Sequence, residues 1–458
     1  MENEKSMEVF SKAPVSKAVL RNALPAMLAM VMVLVYNLAD TFFIGQTHDA
    51  LQVAAVSVAT PVFLIFMAVG TIFGVGGTSV ISRAMGAGKY DYAKKVSSFC
   101  MWGAVAVGVV LAVCMLIFMD PILNLCGASA ETSGLAKSYL QIVVCCGPFV
   151  LISNCFSNVV RAEGQSGKAM MGMLLGNILN VILDPIMILG FGWNITGAAI
   201  ATVIGNALGA AYYIIYLLGK KSNLSINPKD ATLKEGVLKN VMAIGIPAAL
   251  GALLMSISQI IVNSQMVEYS DMAIAAIGVA MKVVLITATI SMGLGQGIQP
   301  LLGYCVGAQK WDRFKSVLKF SIIFALILSV ILTGLCYLFT HQIVGLFLTD
   351  QTAFAYAESF AQILLTTSFL FGIFFVMQNA LQAMGASTEA LIINISRQGI
   401  VFIPLVFILK ACIGMQGIVW AQPVADVVSL VIAIILYARS AKKVMSQSSE
   451  KLLVCENS

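Results

Sequence analysis

The sequence is poor in charge. Only 10% of its 458 residues are Asp, Glu, Lys or Arg, whereas 59% are hydrophobic. A soluble globular protein has about 25% charged residues, so this chain has too few ionised groups to cover the surface of soluble domains. Together with a mean hydropathy of +0.94, the shortage predicts an all-α membrane protein made of apolar helical spans.

Other absences exclude whole classes of function. The sequence has no G-x-x-x-x-G-K-[ST] and no G-x-S-x-G motif, and its only histidines are His48 and His341. A nucleotide-driven pump, a serine hydrolase and an H-E-x-x-H zinc protease are therefore not expected. The ten cysteines include no C-x-x-C, and the basic residues behind the net charge of +6 form no stripe, which argues against redox chemistry and nucleic-acid binding. We expect no cofactor, no nucleotide and no enzymatic activity.

Apolar runs between charged breaks predict twelve transmembrane helices, because about 20 apolar residues span a bilayer. All but four of the 27 Lys and Arg residues lie in the N-terminal segment, in loops after even-numbered spans or in the C-terminal tail. By the positive-inside rule, both termini are cytoplasmic. The predicted spans cover approximately residues 24–45, 53–82, 98–119, 138–160, 170–192, 196–218, 241–267, 273–304, 317–340, 359–383, 390–409 and 414–437.

The two halves of the chain repeat one another. Shifting the sequence by 221 residues places Gly86, Lys89 and Asp91 on Gly307, Lys310 and Asp312. Six spans per repeat give both halves the same orientation, an architecture typical of alternating-access transporters. We therefore expect a cytoplasmic segment (1–23), an N-lobe (24–218), a cytoplasmic linker (219–240), a C-lobe (241–437) and a cytoplasmic tail (438–458).

Ionisable residues within spans are costly and indicate function. Asp184 in span 5 follows Asn180 by four residues, so both side chains lie on one helix face. Pro185 cannot donate to the preceding turn, which predicts a kink and a hinge beside the carboxylate. In span 1, Tyr36 and Asn37 lie on the face of Asp40, and Thr202 adds a hydroxyl from span 6.

This oxygen-rich set favours a hard cation such as Na⁺. Two neighbouring carboxylates with little solvent would serve H⁺ equally well, because one of them readily takes up a proton. The alternative is that the two acids merely cap kinked helices or form hydrogen bonds with backbone groups.

The second half has no acids at the equivalent positions. We expect its charged residues Lys282, Arg397 and Asp426 to neutralise one another as a structural ion pair. Polar uncharged side chains remain as candidates for lining a substrate cavity, and Met173 is a further candidate because thioethers suit promiscuous pockets. The polar candidates are Gln259 and Asn263 in span 7, and Gln378 and Asn379 in span 10.

Four motifs together resemble the multidrug and toxic compound extrusion (MATE) transporters over about residues 15–440. Span 1 carries L-P-A-M and Y-N-L-A-D-T-F-F-I-G, and G-x-G-G-T-S-V-I-S-R-x-M-G-A-G-K follows span 2. Span 4 ends in N-V-V-R-A-E-G-Q-S, and span 5 contains N-V-I-L-D-P. Within the family the chain is most similar to the DinF/MepA-like bacterial branch.

The resemblance implies two six-helix lobes around a central V-shaped cavity in a bacterial inner membrane. It implies export of lipophilic cationic drugs and dyes in exchange for Na⁺ or H⁺, by a monomer among membrane lipids. Pro25 is the expected hinge of span 1, and Glu163 is expected to pair with Arg161 or Lys168 near the cytoplasmic end of span 4. The implied cation-coupling residues are Asp40, Asn180, Asp184 and Thr202, with Tyr36, Asn37, Tyr139 and Asn158 as a supporting network.

Two alternatives remain open from the sequence. A flippase for a lipid-linked oligosaccharide precursor shares the broader superfamily resemblance but typically has a basic cavity, for which only Lys282 and Arg397 are available here. A membrane sensor would bind a ligand without moving it.

Overall fold

A computed structural model describes residues 8–47, 50–126, 130–219, 222–348 and 350–456. All regular elements in these ranges are helical, which confirms the predicted fold class. The helices of the first half are α1 (Val15–Gly45), α2 (Ala50–Gly86), α3 (Tyr90–Ile117), α4 (Met119–Leu125), α5 (Ala130–Cys145), α6 (Gly147–Ala162), α7 (Ser166–Pro185) and α8 (Asn194–Leu218).

The second half repeats this pattern. Its helices are α9 (Val237–Val267), α10 (Asp271–Gly307), α11 (Trp311–Leu338), α12 (Thr340–Gly345), α13 (Gln351–Leu365), α14 (Phe371–Met384), α15 (Ser387–Ile395), α16 (Phe402–Ile413) and α17 (Met415–Glu456). Helices α2 and α10 have 37 residues each, and α3 and α11 have 28 each. The internal repeat read from the sequence is therefore a repeat of structure.

The turn before α3 and α11 is also repeated. Gly88 has φ +72°, and Gln309, 221 residues later, has φ +55°. Glycine adopts this left-handed conformation without a steric penalty, whereas glutamine at the same turn accepts a cost of about 1–2 kcal/mol. Lys89 and Lys310 then precede the helices with nearly identical backbone angles.

Within the described residues, eleven helical segments are long and apolar enough to cross a membrane, with α13 and α14 counted as one segment and α15 and α16 as another. A twelfth span results if α5 and α6, bent by 56° about Cys146, are counted together. Pro148 lies in the first turn of α6 and lacks the N–H that a continuous helix would need. The predicted span 138–160 is thus a broken helix, and the prediction of twelve spans is confirmed on that count.

The chain forms two compact units. Most of one is Leu28–Ala249, and the other combines Ala13–Met27 with Leu250–Ser458. The division therefore falls inside α1 and α9, in each case two residues after a proline, Pro25 and Pro247. Both helices continue through their prolines without interruption.

Candidate cation site

Five of the residues predicted for the cation site line one cavity of about 240 Å³ in the first unit. Tyr36, Asn37 and Asp40 reach it from α1, as their shared helix face predicts, while Tyr139 comes from α5 and Thr202 from α8. The remaining lining residues are Ile44, Val56, Ser57, Thr60 and Phe63.

Helix α7 brings Asn180 and Asp184 to the same region. Both side chains are buried, with 3% and 0% of their surface exposed. The Nδ2 of Asn180 donates a hydrogen bond of 3.3 Å to the hydroxyl of Thr202, which joins α7 to the cavity wall. Directly after Pro185 the helix changes to a π-helical turn over Ile186–Gly190, so the predicted irregularity beside Asp184 is present.

Glycines allow α7 and α8 to pack this closely. A Cβ at Gly176 would lie 2.7 Å from the carbonyl oxygen of Gly205, and a Cβ at Gly205 would lie 2.7 Å from that of Gly176. One turn earlier, a Cβ at Gly172 would lie 2.4 Å from Cζ of Tyr213. The Gly172/Gly176 pair thus permits the close helix approach expected of small residues in membrane helices.

Four acceptor oxygens of the site have no hydrogen-bond donor in the described part of the chain. Both carboxylate oxygens of Asp184, the Oδ1 of Asp40 and the Oδ1 of Asn180 are buried and accept no hydrogen bond from a described residue. Each such buried group costs about 1–3 kcal/mol if it remains without a partner. A bound cation or proton would relieve that cost, since each supplies positive charge to oxygens that lack donors.

Hydroxyl groups complete the first-unit site. Tyr36, Tyr139 and Thr202 line the same cavity as Asp40 and bring their hydroxyls to it. No cluster of three His, Cys, Asp or Glu side chains occurs in the part of the chain that the structure describes. The chemistry available is thus that of carboxylate, amide and hydroxyl oxygens, which suits Na⁺ or H⁺.

Asn158 and Met173 meet at Arg161, a buried residue at the end of α6. The Nη1 of Arg161 donates to Oδ1 of Asn158 at 3.3 Å, and its Nη2 lies 3.3 Å from the sulfur of Met173. Asn158 in turn donates to the carbonyl oxygen of Asn154 at 3.0 Å. The contact of Arg161 with Met173 joins α6 to α7, whereas the bonds of Asn158 lie within α6.

The polar candidates of the second half form hydrogen bonds with one another, with Asn394 or with the backbone of their own helix. Gln259 donates to Asn263 at 3.1 Å along α9, and Gln378 donates to Asn394 of α15. Asn379 donates to the carbonyl oxygen of Phe375 at 2.8 Å within α14. The Oε1 of Gln378 is buried and has no partner among the described residues.

The structural ion pair expected in the second half forms between Arg397 and Asp426. Nε of Arg397 lies 2.8 Å from Oδ1 of Asp426, and the two side chains are 12% and 3% exposed. Lys282 does not join them but lies over the ring of Phe347, with Nζ 4.8 Å from the ring centroid. A phenyl ring therefore stabilises the lysine in place of the carboxylate we expected.

Glu163 has different partners from those expected. Its carboxylate accepts hydrogen bonds from Tyr216 at 2.6 Å, from the hydroxyl of Ser222 at 3.0 Å and from the N–H of Asn223 at 3.1 Å. Hydroxyl and backbone donors thus occupy the role we expected a basic side chain to fill. Complete burial raises the pKa of Glu163 to about 7, an effect that the three hydrogen bonds reduce but do not cancel.

Sequence reasoning missed the contribution of α2 to the cavity. Ser57 and Thr60 are three residues apart in span 2, a spacing that places both hydroxyls on one face. That spacing could have singled them out, although Thr60 also bonds the carbonyl oxygen of Val56 at 2.9 Å, as serine and threonine often do in apolar helices.

Comparison with known proteins gives matches over nearly the whole chain. The MatE family model matches residues 25–186 and again 247–408. The multidrug export protein MepA of Staphylococcus aureus (strain MRSA252) is 36% identical over 423 residues, which are 92% of this chain and 93% of that protein. MepA of Staphylococcus haemolyticus (strain JCSC1435) is 34% identical over 432 residues, 93% of this chain and 94% of that protein.

Solved structures share the fold. A multidrug resistance MATE family transporter of the MOP superfamily in its outward-facing conformation has a TM-score of 0.90 at 23% identity, covering 97% of this chain and 99% of its own. A MOP superfamily transporter from Pyrococcus furiosus, described as having a binding pocket of reverse polarity, has a TM-score of 0.88 at 23% identity, covering 96% and 98%.

The fold and the repeated six-helix arrangement are those of a membrane transporter. The chain belongs to the MatE family.

Proposed function

We propose that this protein is a secondary active multidrug exporter that moves lipophilic organic cations out of the cell in exchange for Na⁺ or H⁺. The observation that carries the proposal is the cluster of buried oxygens on Asp40, Asn180 and Asp184 that have no hydrogen-bond partner among the described residues, in a chain of the MatE family. A bound small cation lowers the free energy of such a cluster, because it gives the buried oxygens a partner. The MepA proteins, named for multidrug export, support the assignment of the cargo.

Alternating access couples the two movements. Binding of the external cation neutralises the acids of the first unit, and hinges at Pro25 and Pro185 adjust α1 and α7 in response. One elementary charge entering down about 100 mV supplies about 2.3 kcal/mol, enough for a drug gradient of about 50-fold. A modest coupling therefore suffices for export.

The proposed setting is the bacterial inner membrane, with both termini in the cytoplasm and the protein acting as a monomer among lipids. The distribution of Lys and Arg supports this orientation. The domain boundaries inferred from the sequence remain part of the proposal, with the segment 219–240 as the cytoplasmic linker.

The deciding experiment uses proteoliposomes loaded with a cationic dye under an imposed Na⁺ gradient and, separately, an imposed pH gradient. We expect one gradient to drive the parent protein, and Asp184→Asn to abolish that movement while the protein remains folded. Asp120→Asn is the matched control, since Asp120 is an exposed acid paired with Lys137 at 2.7 Å.

Full gradient-driven movement by a well-folded Asp184→Asn protein would overturn the site. Dye movement by neither gradient in correctly inserted parent protein would overturn the exporter and direct attention to lipid flipping.

A further inference from the structure

Arg397 is held by more than its carboxylate partner. Its guanidinium carbon lies 4.7 Å from the ring centroid of Phe371, 4.9 Å from that of Phe374 and 5.6 Å from that of Phe375. The three rings belong to α14, where their spacing of three and four residues places them on one helix face. Asp426 of α17 completes a cage of three aromatic faces and one carboxylate.

Neutralising a charge within a membrane bundle requires only an opposite charge and hydrogen bonds. Neutralising Arg397 therefore does not require the three aromatic rings that surround it. Rings attract any cation over their faces through their quadrupole, and aromatic cages with a nearby acid are how proteins recognise organic ammonium groups. The cage around Arg397 thus has the chemistry of a binding site for lipophilic cations.

Asp426 also has capacity for a further partner. Its Oδ1 accepts hydrogen bonds from Arg397 at 2.8 Å and from Gln422 at 2.9 Å. Its Oδ2 is buried and has no hydrogen-bond partner in the described chain. A carboxylate present only to fix Arg397 would place both oxygens on the guanidinium fork, which is the geometry that arginine favours.

The backbone that carries Arg397 is not regular helix. Residues Ser396–Ile400 form a π-helical turn between α15 and α16, with the N–H of Val401 bonded to the carbonyl oxygen of Ser396 at 3.1 Å. Turns of this kind interrupt the regular hydrogen-bond ladder and often occur at functional sites. Arg397 is therefore attached at a point where the helix can readjust.

We propose that the cage of Phe371, Phe374, Phe375 and Asp426 is a subsite for lipophilic organic cations, and that Arg397 is its internal occupant, displaced when substrate binds. This inference rests on the proposed export of such cations. The guanidinium competes with substrate for the same rings and the same carboxylate. Only cations that stack well and carry a permanent charge displace it, so Arg397 sets a threshold of affinity.

The test measures equilibrium binding of tetraphenylphosphonium to the purified full-length protein. Arg397→Met removes the competing charge at similar side-chain length and leaves Asp426 in place. We expect this variant to bind the probe at least about tenfold more tightly than the parent, the factor expected for one good cation–aromatic site with a carboxylate. The double variant Arg397→Met/Asp426→Asn should lose this gain, because the probe then lacks its counter-charge.

Arg397→Lys provides a second, conservative test should Arg397→Met fail to fold. Lysine keeps the charge beside Asp426 but lacks the planar group that stacks on the rings. We expect it to compete less well, so probe binding should tighten by about threefold.

An unchanged dissociation constant in the folded single variants, or an equal gain in the double variant, would overturn the subsite. If the parent still moves dye along an ion gradient in that case, the proposed export stands and only the role of Arg397 fails. If the parent neither binds nor moves cations, both proposals fail together.

Discussion

The side-chain amide of Asn180 donates its hydrogen bond to the hydroxyl of Thr202 at 3.3 Å, while the Oδ1 of the same amide is buried and has no partner among the described residues. The bond fixes the orientation of the amide, because its nitrogen faces Thr202 and its oxygen must face elsewhere. Both carboxylate oxygens of Asp184, one turn along α7, are likewise buried and have no hydrogen-bond partner in the described part of the chain. Thr202 thus orients an acceptor of the candidate cation site without carrying charge.

The first prediction follows from this bond. Thr202→Val keeps the shape of the side chain but removes the acceptor for Asn180, and a hydrogen bond of this kind is worth about 1 kcal/mol. We expect the concentration of coupling ion needed for half-maximal dye transport to rise about three- to tenfold. Thr202→Ser, which keeps the hydroxyl, is the control; equal ion dependence of the valine variant and the parent would contradict the role of Thr202.

The second prediction concerns the glycines at the α7–α8 contact. Alanine at Gly176 would place its Cβ 2.7 Å from the backbone oxygen of Gly205 and must separate the two helices at the level of Asn180. We expect Gly176→Ala to lower the melting temperature and to weaken the dependence of transport on the coupling ion. Gly167→Ala tests specificity, since a Cβ at Gly167 in the same helix meets nothing within 4 Å.

If both alanine variants have the same melting temperature as the parent, the close approach of α7 and α8 is not needed for stability. If Gly176→Ala is destabilised but its ion dependence is unchanged, the packing does not position the site.

The third prediction concerns the buried ion pair. Asp426→Asn leaves the charge of Arg397 among three rings without its carboxylate, and breaking one side of a buried pair typically costs about 3–5 kcal/mol. We expect lower abundance and a lower melting temperature, partly restored by adding Arg397→Met because no uncompensated charge then remains. Normal thermal stability of Asp426→Asn combined with uncoupled transport would mean that the carboxylate belongs to the coupling machinery instead.

The fourth prediction is a pH dependence at Glu163. Its pKa is about 7 in the folded protein against an ordinary value of 4.5, because burial disfavours the charged form. Between these two pH values the folded protein therefore holds a proton on Glu163 that a solvent-exposed Glu163 has released. The contribution of this proton to the stability of the folded state is full below pH 4.5 and declines as the pH rises to about 7. After correction for intrinsic exchange rates, we expect hydrogen exchange at Ser222 and Asn223 to become faster across that range and then level off.

Glu163→Gln is the matched variant, since it fills the same space without a titrating proton. Its exchange at these two residues should be nearly independent of pH after correction for intrinsic exchange rates. The same pH dependence in the variant and the parent would assign the effect to another group.

Much of the fold follows from the sequence alone, because the bilayer restricts the possible structures so strongly. Apolar segments long enough to cross it must satisfy their own backbone groups, so they form helices. The repeat between Gly86-x-x-Lys89 and Gly307-x-x-Lys310 then fixed the correspondence of the two halves, which the equal lengths of α3 and α11 bear out. The break at Cys146 was not predicted, since Pro148 suits a kinked helix and a new helix start equally well.

The candidate site divides in the same way. Helical spacing alone placed Asn180 with Asp184, and Tyr36 and Asn37 with Asp40, because residues three and four apart share a face. Only tertiary structure decided that Thr202 meets Asn180 and that Ser57 and Thr60 of α2 join the cavity. These contacts join separate helices, and their rotation and depth depend on close packing that no local pattern encodes.

The charges of the second half illustrate the same limit. The sequence by itself determined that Lys282, Arg397 and Asp426 needed neutralising, because an ionised group is costly in a span. Tertiary structure decided how: Asp426 pairs with Arg397, Lys282 lies over Phe347, and three rings of α14 surround the guanidinium. A cation can be stabilised by a carboxylate or by an aromatic face, and only the packing of the helices determines which one lies within reach.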